Sequence, residues 1–413
     1  MLGKWFKDHK RQDRIIYNDI FFINGQDEKD PEINRLKSML VKVAFKQKSW
    51  GQPMPLAWVP LDLQMSELRL HDMNIISKEE LITLNQRNED LALKNDKDIK
   101  YFLDVQHSLG KILYFDQPGL DHFIIVQPQS LVHILRSFIT AKEFWPNEMK
   151  DVFDTLTKTG KITQQNLLKL WSQEDFDRHM PNVYCKEFII QVLVHLDILV
   201  EPRHYEKKSY FVPCMVKRKP KTADKSFEKM IFLSYRLLKS SIPTAFTFRL
   251  IGAAINVWPL QVREQRICLY LQAAIFRIDE SNELHLSVKD DKICVYLRNE
   301  NGKDSIESQL ASTVQEYLTM TITKIVNFYH KSFGKSPFTS EVSKVFELEV
   351  GELCLSGEVC YISVPEVHEQ TDWICTHEKP HEKKYPRLWI FDKVSLTCIN
   401  LSLILFCKYF VTF

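Results

Sequence analysis

The sequence predicts an α+β protein with a mostly helical first half and a second half built on an antiparallel meander. In the first half, apolar residues recur every three or four positions between capping and turn residues, which indicates amphipathic helices. In the second half, apolar segments are separated by the short turns DESN and DD, which indicates strands joined by hairpins. A long helix over 304–333 follows, and a helix laid across a meander gives a layered α+β domain.

The first half is predicted to begin with a strand at 20–23 and a helix that Asp30 caps and Pro31 opens. Ser77 and Glu80 have the spacing of a capping box at the start of a later helix. The other predicted elements of this half are helices at 62–70, 77–87, 96–108, 128–138, 147–158, 163–172 and 184–197, and strands at 111–115, 123–126, 198–201 and 210–214.

Helices followed by a hairpin, here 198–201 with 210–214, suggest a winged helix. Winged helices often bind DNA through their last helix. In this chain that helix is 184–197, which is mostly Phe, Ile, Val and Leu, with Lys186 as its only lysine or arginine. Such a face packs into a core, so we expect no nucleic-acid binding.

The second half is predicted to contain a buried helix with Pro243 in its first turn. The long helix that closes it has apolar positions spaced three and four apart, so one of its faces is buried, either by the sheet or by a partner. The predicted elements are a helix at 241–258, strands at 266–278, 283–289 and 292–298, and the helix at 304–333.

Composition narrows the classes of function. The 413 residues are 45% hydrophobic and 26% charged, with a net charge of +2, which is ordinary for a globular protein and predicts neither a nucleic-acid nor a membrane partner. The basic run KRKPK at 217–221 is interpreted as a solvated hinge, with a nuclear signal or lipid patch as alternatives. Trp50, Trp58 and Trp171 are expected to anchor domain packing rather than stack on a ligand.

The nine cysteines and the absence of an apolar segment at the N-terminus predict a reducing, cytoplasmic location with mostly free thiols. The tail at 394–413 is apolar, but its apolar run is interrupted by Asn400, followed by Lys408 and too short to span a bilayer. We expect this tail to be an artefact of the gene model or a frayed end, with a membrane anchor as the alternative.

The segment 351–393 carries a constellation of metal-ligand types with the spacing C-x5-C-x14-C-x-H-x3-H. Soft thiolates with imidazoles suit tetrahedral zinc. The alternative is buried thiols with exposed histidines, since C-x5-C is wider than the usual finger spacing. The candidate zinc ligands are Cys354, Cys360, Cys375 and His381, with His377 as a substitute.

Several catalytic motifs are missing from the sequence. There is no G-x-x-x-x-G-K-[ST] loop to cradle phosphates and no Asn-Lys-x-Asp motif to recognise a base. The kinase motifs, G-x-S-x-G and H-E-x-x-H are absent as well, and His107 is expected to be a helix-end histidine bonded to a carbonyl. We therefore predict that the chain as written is not an enzyme and binds no GTP.

A family resemblance rests on HSLGKILYF (107–115), FIIVQPQSLVHILRSFIT (123–140), GKIT (160–163) and YFVPCM (210–215). These segments resemble the COR domain (C-terminal of Roc) of Roco proteins, in which a Ras-like GTPase domain called Roc precedes COR. Residues 21–62 resemble the last strand and helix of Roc and its junction with COR, and the resemblance extends over roughly 20–390.

The resemblance implies a dimerising regulatory module, with the second half as the dimerisation surface and the segment 50–61 as a lever toward Roc. It implies a Roc remnant (1–53), a first COR half (54–215), a linker (216–228), a second COR half (229–350), the Cys/His-rich segment (351–393) and the apolar tail (394–413).

Two alternatives stay open. In one, the gene model is truncated and the intact protein is an active GTPase, so that GTP is a cofactor only if a Roc domain lies upstream. In the other, the chain is a stand-alone adaptor that heterodimerises with an intact Roco protein. The expected partners are a second COR domain and a Roc domain, without nucleic acid or membrane.

Overall fold

The structure of the protein, a computed structural model, has an α+β fold, as the sequence predicts. Eleven helices and a seven-stranded antiparallel sheet lie within the described part of the chain. The described residues are 20–47, 50–51, 53–205, 207–220, 230–237, 242–299, 306–332, 346–353, 359–363, 372–374 and 382–384.

The first half is helical because capping residues stand where apolar periodicity begins. The Ser77 hydroxyl accepts from the Glu80 amide, and the Glu80 carboxylate accepts from the Ser77 amide, which confirms the predicted capping box. Thr163 caps the helix that begins at Gln164 in the same way, since its hydroxyl accepts from the Asn166 amide. The helices are α1 Pro31–Phe45, α2 Trp58–Leu70, α3 Lys78–Gln86, α4 Asp96–Ser108, α5 Pro128–Arg136, α6 Lys150–Thr159, α7 Gln164–Leu170, α8 Glu174–Asp177 and α9 Val183–His195.

The short strands of this half pair differently from the prediction. Strand β1 (Ile75–Ser77) pairs with β2 (Phe123–Ile125), and β3 (Lys161–Thr163) pairs with β4 (Ser209–Phe211). The predicted hairpin with 198–201 is reduced to a single bridge between Val200 and Phe211. The reason is that α6 ends on a left-handed glycine, so the residues after it return the chain alongside β4.

The strands predicted at 111–115 and 20–23 are not strands in the structure. Residues 111–115 contribute one bridge, Leu113 to Ile125, and 20–23 has no strand assignment. A strand is stabilised by a hydrogen-bonded neighbour, and none is found for 20–23 among the described residues.

The second half contains the predicted meander, but the strand predicted at 266–278 is divided into three short strands at 266–267, 269–270 and 273–277. The strands are β5 Ile231–Leu237, β6 Val262–Arg263, β7 Arg266–Ile267, β8 Leu269–Tyr270, β9 Ala273–Arg277, β10 Asn282–Lys289, β11 Lys292–Asn299, β12 Phe346–Leu353 and β13 Val359–Ser363, with a separate hairpin of β14 Asp372–Ile374 and β15 Glu382–Lys384. The large sheet has the order β13-β12-β5-β11-β10-β9-β8, and β12 continues past the predicted domain limit at residue 350.

Helices α10 (Thr244–Ile255) and α11 (Ser308–Ser332) pack on the sheet. Alternate strand residues such as Leu284 and Val295 share one core with the apolar positions of α11, including Leu318 and Ile322. The sheet therefore covers the apolar face of α11. The first half has two cores of its own, one on each side of the β1–β2 pair.

Candidate interaction surface at the N-terminal junction

Helix α1 presents apolar side chains that the described chain does not bury. The Asp30 carboxylate accepts from the Asn24 amide at 2.7 Å and from the Glu32 amide at 2.9 Å, and these two hydrogen bonds lower the pKa of Asp30. The predicted apolar periodicity is present, yet none of the fifteen residues of α1 is buried. The most exposed apolar residues of α1 are Leu40, Val41 and Phe45.

The connection between α1 and α2 continues this apolar character. The Trp50 ring lies 4.5 Å from the Phe45 ring, centroid to centroid, and Trp50 is 55% exposed. Trp58 and Trp171 are buried anchors, as predicted, so Trp50 is the exception among the three. An exposed aromatic pair of this kind is typical of a contact site.

Helix α2 is apolar on two opposite sides. Trp58, Leu61 and Met65, spaced three and four apart, are buried in the first-half core. A second series with spacings of three, four and seven lies on the opposite side and is exposed. We call this series the outer stripe, and it consists of Leu56, in the turn just before α2, and Val59, Leu63 and Leu70 of α2.

The core side of α2 fixes the outer stripe in place. The Trp58 ring packs edge-on against Tyr101 and Phe102 at 5.3 and 5.7 Å. The Lys111 ammonium lies 2.8 Å from the Asp62 carboxylate, and the Arg69 guanidinium donates to a backbone carbonyl of the β2 segment at 3.1 Å. Three of the four stripe residues are therefore held on a helix that is packed against the core.

His107 lies near the end of α4, as predicted, but its ring makes a different hydrogen bond from the one predicted. Nδ1 of His107 accepts from the Tyr114 amide at 3.3 Å rather than bonding a carbonyl. Tyr114 itself is buried, and burial raises its pKa to about 12. Both residues belong to the packing beneath α2 and α4, and neither forms a catalytic pair with the other.

The predicted zinc ligands fall mostly outside the described residues: Cys354, Cys375, His377 and His381. Cys360 is described; it lies buried on β13 and is disulfide-bonded, which differs from the free thiol that the sequence predicts. A sulfur bonded in a disulfide offers no thiolate to a metal, so zinc binding and this disulfide are alternative states of Cys360. The zinc site stays a prediction.

Among the residues that are described, no group of three or more His, Cys, Asp or Glu is placed to hold a metal ion. No helix in those same ranges has the length and hydropathy needed to cross a membrane. The tail at 394–413 lies outside them.

A comparison with protein families decides the identity of the first half. The family model "C-terminal of Roc, COR-A domain" matches residues 55–216. Residues 55–216 therefore match the COR-A domain, which in Roco proteins follows the Roc domain. The COR-A match begins one residue before Leu56, so the outer stripe is the N-terminal edge of COR-A.

Relatives of the COR domain come from Dictyostelium discoideum. The "Probable serine/threonine-protein kinase roco5" is 29% identical over 169 residues, covering 40% of this chain and 5% of roco5. The "Probable serine/threonine-protein kinase pats1" is 20% identical over 295 residues, covering 69% of this chain and 9% of pats1. The chain thus spans less than a tenth of the length of each of these two relatives. The word kinase in their names describes those proteins and not this chain.

A solved structure, that of Methanosarcina barkeri Roco2 RocCORdC bound to GDP, is also similar. It is 13% identical, with a TM-score of 0.35, and the similarity covers 45% of this chain and 52% of that one.

Sequence reasoning missed the outer stripe. The sequence predicts a helix over 62–70 only, whereas α2 begins at Trp58 and is apolar on both sides. The signal was present in the sequence, because Leu56, Val59 and Leu63 repeat at helical spacing out of phase with Trp58 and Leu61. A helix apolar on two sides needs two covering surfaces.

Proposed function

We propose that this chain is a non-catalytic regulatory module that docks a Ras-like GTPase domain of the Roc type at its N-terminal junction. The outer stripe of α2 supports this proposal most strongly, because it is apolar, ordered and uncovered within the described chain. Contiguous exposed apolar surface of this kind marks protein contact sites. In Roco proteins the Roc domain precedes COR, which places Roc at this end of the module.

Helix α1 supports the same proposal. By resemblance, 21–62 corresponds to the last strand and helix of Roc with its junction to COR. An unburied apolar face on α1 is what such a helix would have when the remainder of its own domain is not packed on it. A complete GTPase domain would cover α1 and the outer stripe together.

The docked GTPase domain can belong to the same polypeptide or to a second one. The first case makes the chain a part of a longer Roco GTPase, and the second makes it an adaptor. Sequencing the complete transcript separates the two cases: an in-frame G-x-x-x-x-G-K-[ST] loop favours the first, and its absence favours the second.

Docking is tested by titrating the chain with a purified Roc domain of a Roco relative. Leu63, which is 65% exposed, is replaced by glutamate. Burying a leucine contributes about 1.5–3 kcal/mol, and a buried unpaired carboxylate costs more, so we expect affinity to fall at least about tenfold.

The matched control is Val132→Glu, because Val132 is 66% exposed and also lies on a first-half helix, α5. This control should bind as the unaltered chain does. Equal binding by Leu63→Glu and the unaltered chain would exclude the outer stripe as the docking surface, provided that both variants keep their helical circular dichroism.

The module is further proposed to pair with a second COR domain through its second half. The sheet already covers the apolar face of α11, so pairing through α11 would use its other side, which carries Thr313, Glu316 and Lys324. Sedimentation of the full chain at high micromolar concentration should show a dimer, and Glu316→Arg should weaken it. A strictly monomeric chain would contradict this part of the proposal.

A further inference from the structure

Three arginines surround one buried glutamate on the face of the large sheet that is turned away from the second-half core. Glu283 of β10 is 1% exposed, and its neighbour Leu284 points into the core, so Glu283 lies on the opposite face. In the sheet register, Glu283 is directly opposite Arg277 of β9 on one side and Arg298 of β11 on the other. We call Arg263, Arg277 and Arg298, with Glu283 between them, the arginine cluster.

The Glu283 carboxylate holds Arg263 in place. Its Oε1 accepts from the Gln261 side-chain amide at 2.8 Å. Its Oε2 accepts from the Arg263 guanidinium and, at 3.0 Å, from Nε2 of His285. A buried carboxylate needs such partners, because an uncompensated charge in the interior is strongly destabilising. Both oxygens of Glu283 are therefore engaged by other groups than the two arginines that flank it on β9 and β11.

Arg277 and Arg298 have no carboxylate of their own. Within the described ranges, neither side chain forms a hydrogen bond, an ion pair or a ring contact. The acidic turn between β9 and β10 does not supply a partner, since the Asp279 carboxylate accepts from the backbone amides of Ser281 and Asn282. The arginine cluster thus sets three guanidinium groups against one carboxylate, which leaves an excess of positive charge at one place on the sheet.

The arginines of the cluster are close enough to share one anion. Arg277 and Arg298 lie one strand to either side of β10, so their Cα atoms are about 10 Å apart, and each side chain is long enough to cover half of that distance. Burial lowers the pKa of His285, and the charges of Arg263 and Arg298 lower it further, which places both guanidinium groups near this ring. An anion seated beside Glu283 would therefore be within reach of the whole cluster.

We propose that the arginine cluster binds a phosphorylated serine or threonine side chain of a partner protein. Guanidinium groups match phosphate oxygens in bidentate geometry, and clusters of arginine recognise phosphorylated segments. Val262, next to Arg263, is 54% exposed and offers apolar contact to the residues beside the phosphate. An anionic membrane fits less well, because Asp279 and Glu280 are exposed next to Arg277 and would repel it. The proposal does not depend on docking at the N-terminal junction.

The test titrates the full chain into a fluorescently labelled peptide pool with one fixed phosphoserine between random residues, and follows anisotropy at low salt, where charge screening is weak. The phosphorylated pool should bind, and the unphosphorylated pool should not. Combining Arg277→Gln with Arg298→Gln removes two charge-assisted contacts and should weaken binding at least about tenfold. The matched control is Arg87→Gln, since Arg87 is exposed and its side chain also has no partner in the described part of the chain. This control should bind as the unaltered chain does.

Arg298→Lys separates recognition of the phosphate from general attraction and covers the case in which the double variant does not fold. It keeps the charge but loses the planar fork, so it should bind the phosphorylated pool more weakly than the unaltered chain does. Inorganic phosphate, and vesicles of phosphatidylcholine with a phosphoinositide, are added as competitors and should displace the pool poorly. Unchanged binding in the arginine variants, an equal loss in Arg87→Gln, or tighter binding of inorganic phosphate or of the vesicles would overturn the proposal.

Discussion

Two buried tryptophans of the first-half core offer a matched test of its packing. Trp171 and Trp145 lie in the same core. The Trp171 indole N–H donates to the Ser137 hydroxyl at 2.9 Å, whereas the Trp145 indole N–H is buried without a partner. The perturbation is replacement of each tryptophan by phenylalanine, which removes the N–H and a similar volume at both sites.

The expected difference follows from the hydrogen bond alone, because the loss of ring volume is common to both variants. Trp171→Phe removes a hydrogen bond, a cost of about 1 kcal/mol. Trp145→Phe removes an unsatisfied buried donor, which relieves a penalty of about 1–3 kcal/mol. Trp171→Phe should therefore destabilise the protein by about 2–4 kcal/mol more than Trp145→Phe does.

The assay is urea unfolding followed by far-ultraviolet circular dichroism, since removing a tryptophan changes the fluorescence signal itself. The free energies of unfolding are compared by linear extrapolation, and equal m-values are required for the comparison. Equal destabilisation within about 0.5 kcal/mol, or a larger cost for Trp145→Phe, would refute the hydrogen-bond assignment in this core.

Three further predictions concern a cap, protonation and metal. Ser77→Ala breaks the capping box with Glu80 and should lower the free energy of unfolding by about 1 kcal/mol, and an unchanged urea midpoint would contradict the cap. Burial lowers the pKa of His179, His195 and His285 in the folded protein. As the pH falls, these histidines therefore take up protons at a higher pH in the unfolded chain than in the folded one. The free energy of unfolding should consequently fall as the pH drops through about 6.5. Urea midpoints at about pH 7.5 and about pH 5.5 measure this, and a midpoint no lower at the acidic pH would count against it. If the Cys/His segment binds zinc, elemental analysis of the full chain should find one ion per chain, and its absence, with folding unaffected by chelator, would exclude the site.

Local signals in the sequence were sufficient for much of the fold. The cap at Asp30, the capping box at Ser77 and the three-four apolar spacing place α1, α3 and α11 close to their observed bounds. The meander is also predictable, because its strands are neighbours in sequence and are joined by short turns. In each case the information lies within a few residues of the element.

Long-range pairings were not predictable in the same way. Strand β4 pairs with β3, almost fifty residues earlier, since Gly160 redirects the chain beside it. The order of the large sheet, with β5 between β11 and β12, depends on contacts across most of the second half. The sequence shows apolar residues at helical spacing on two sides of α2, but only the structure shows which of the two sides is buried in the core.

The lack of burial along α1 has a consequence for binding energetics. An isolated helix of fifteen residues is only marginally stable in water, and α1 receives no buried contact from the rest of the described chain. Ordering α1 and covering it would then be a single thermodynamic event, in which part of the contact energy is used to hold the helix. The affinity at this end of the molecule would depend on the helix propensity of α1 as well as on the surface it meets.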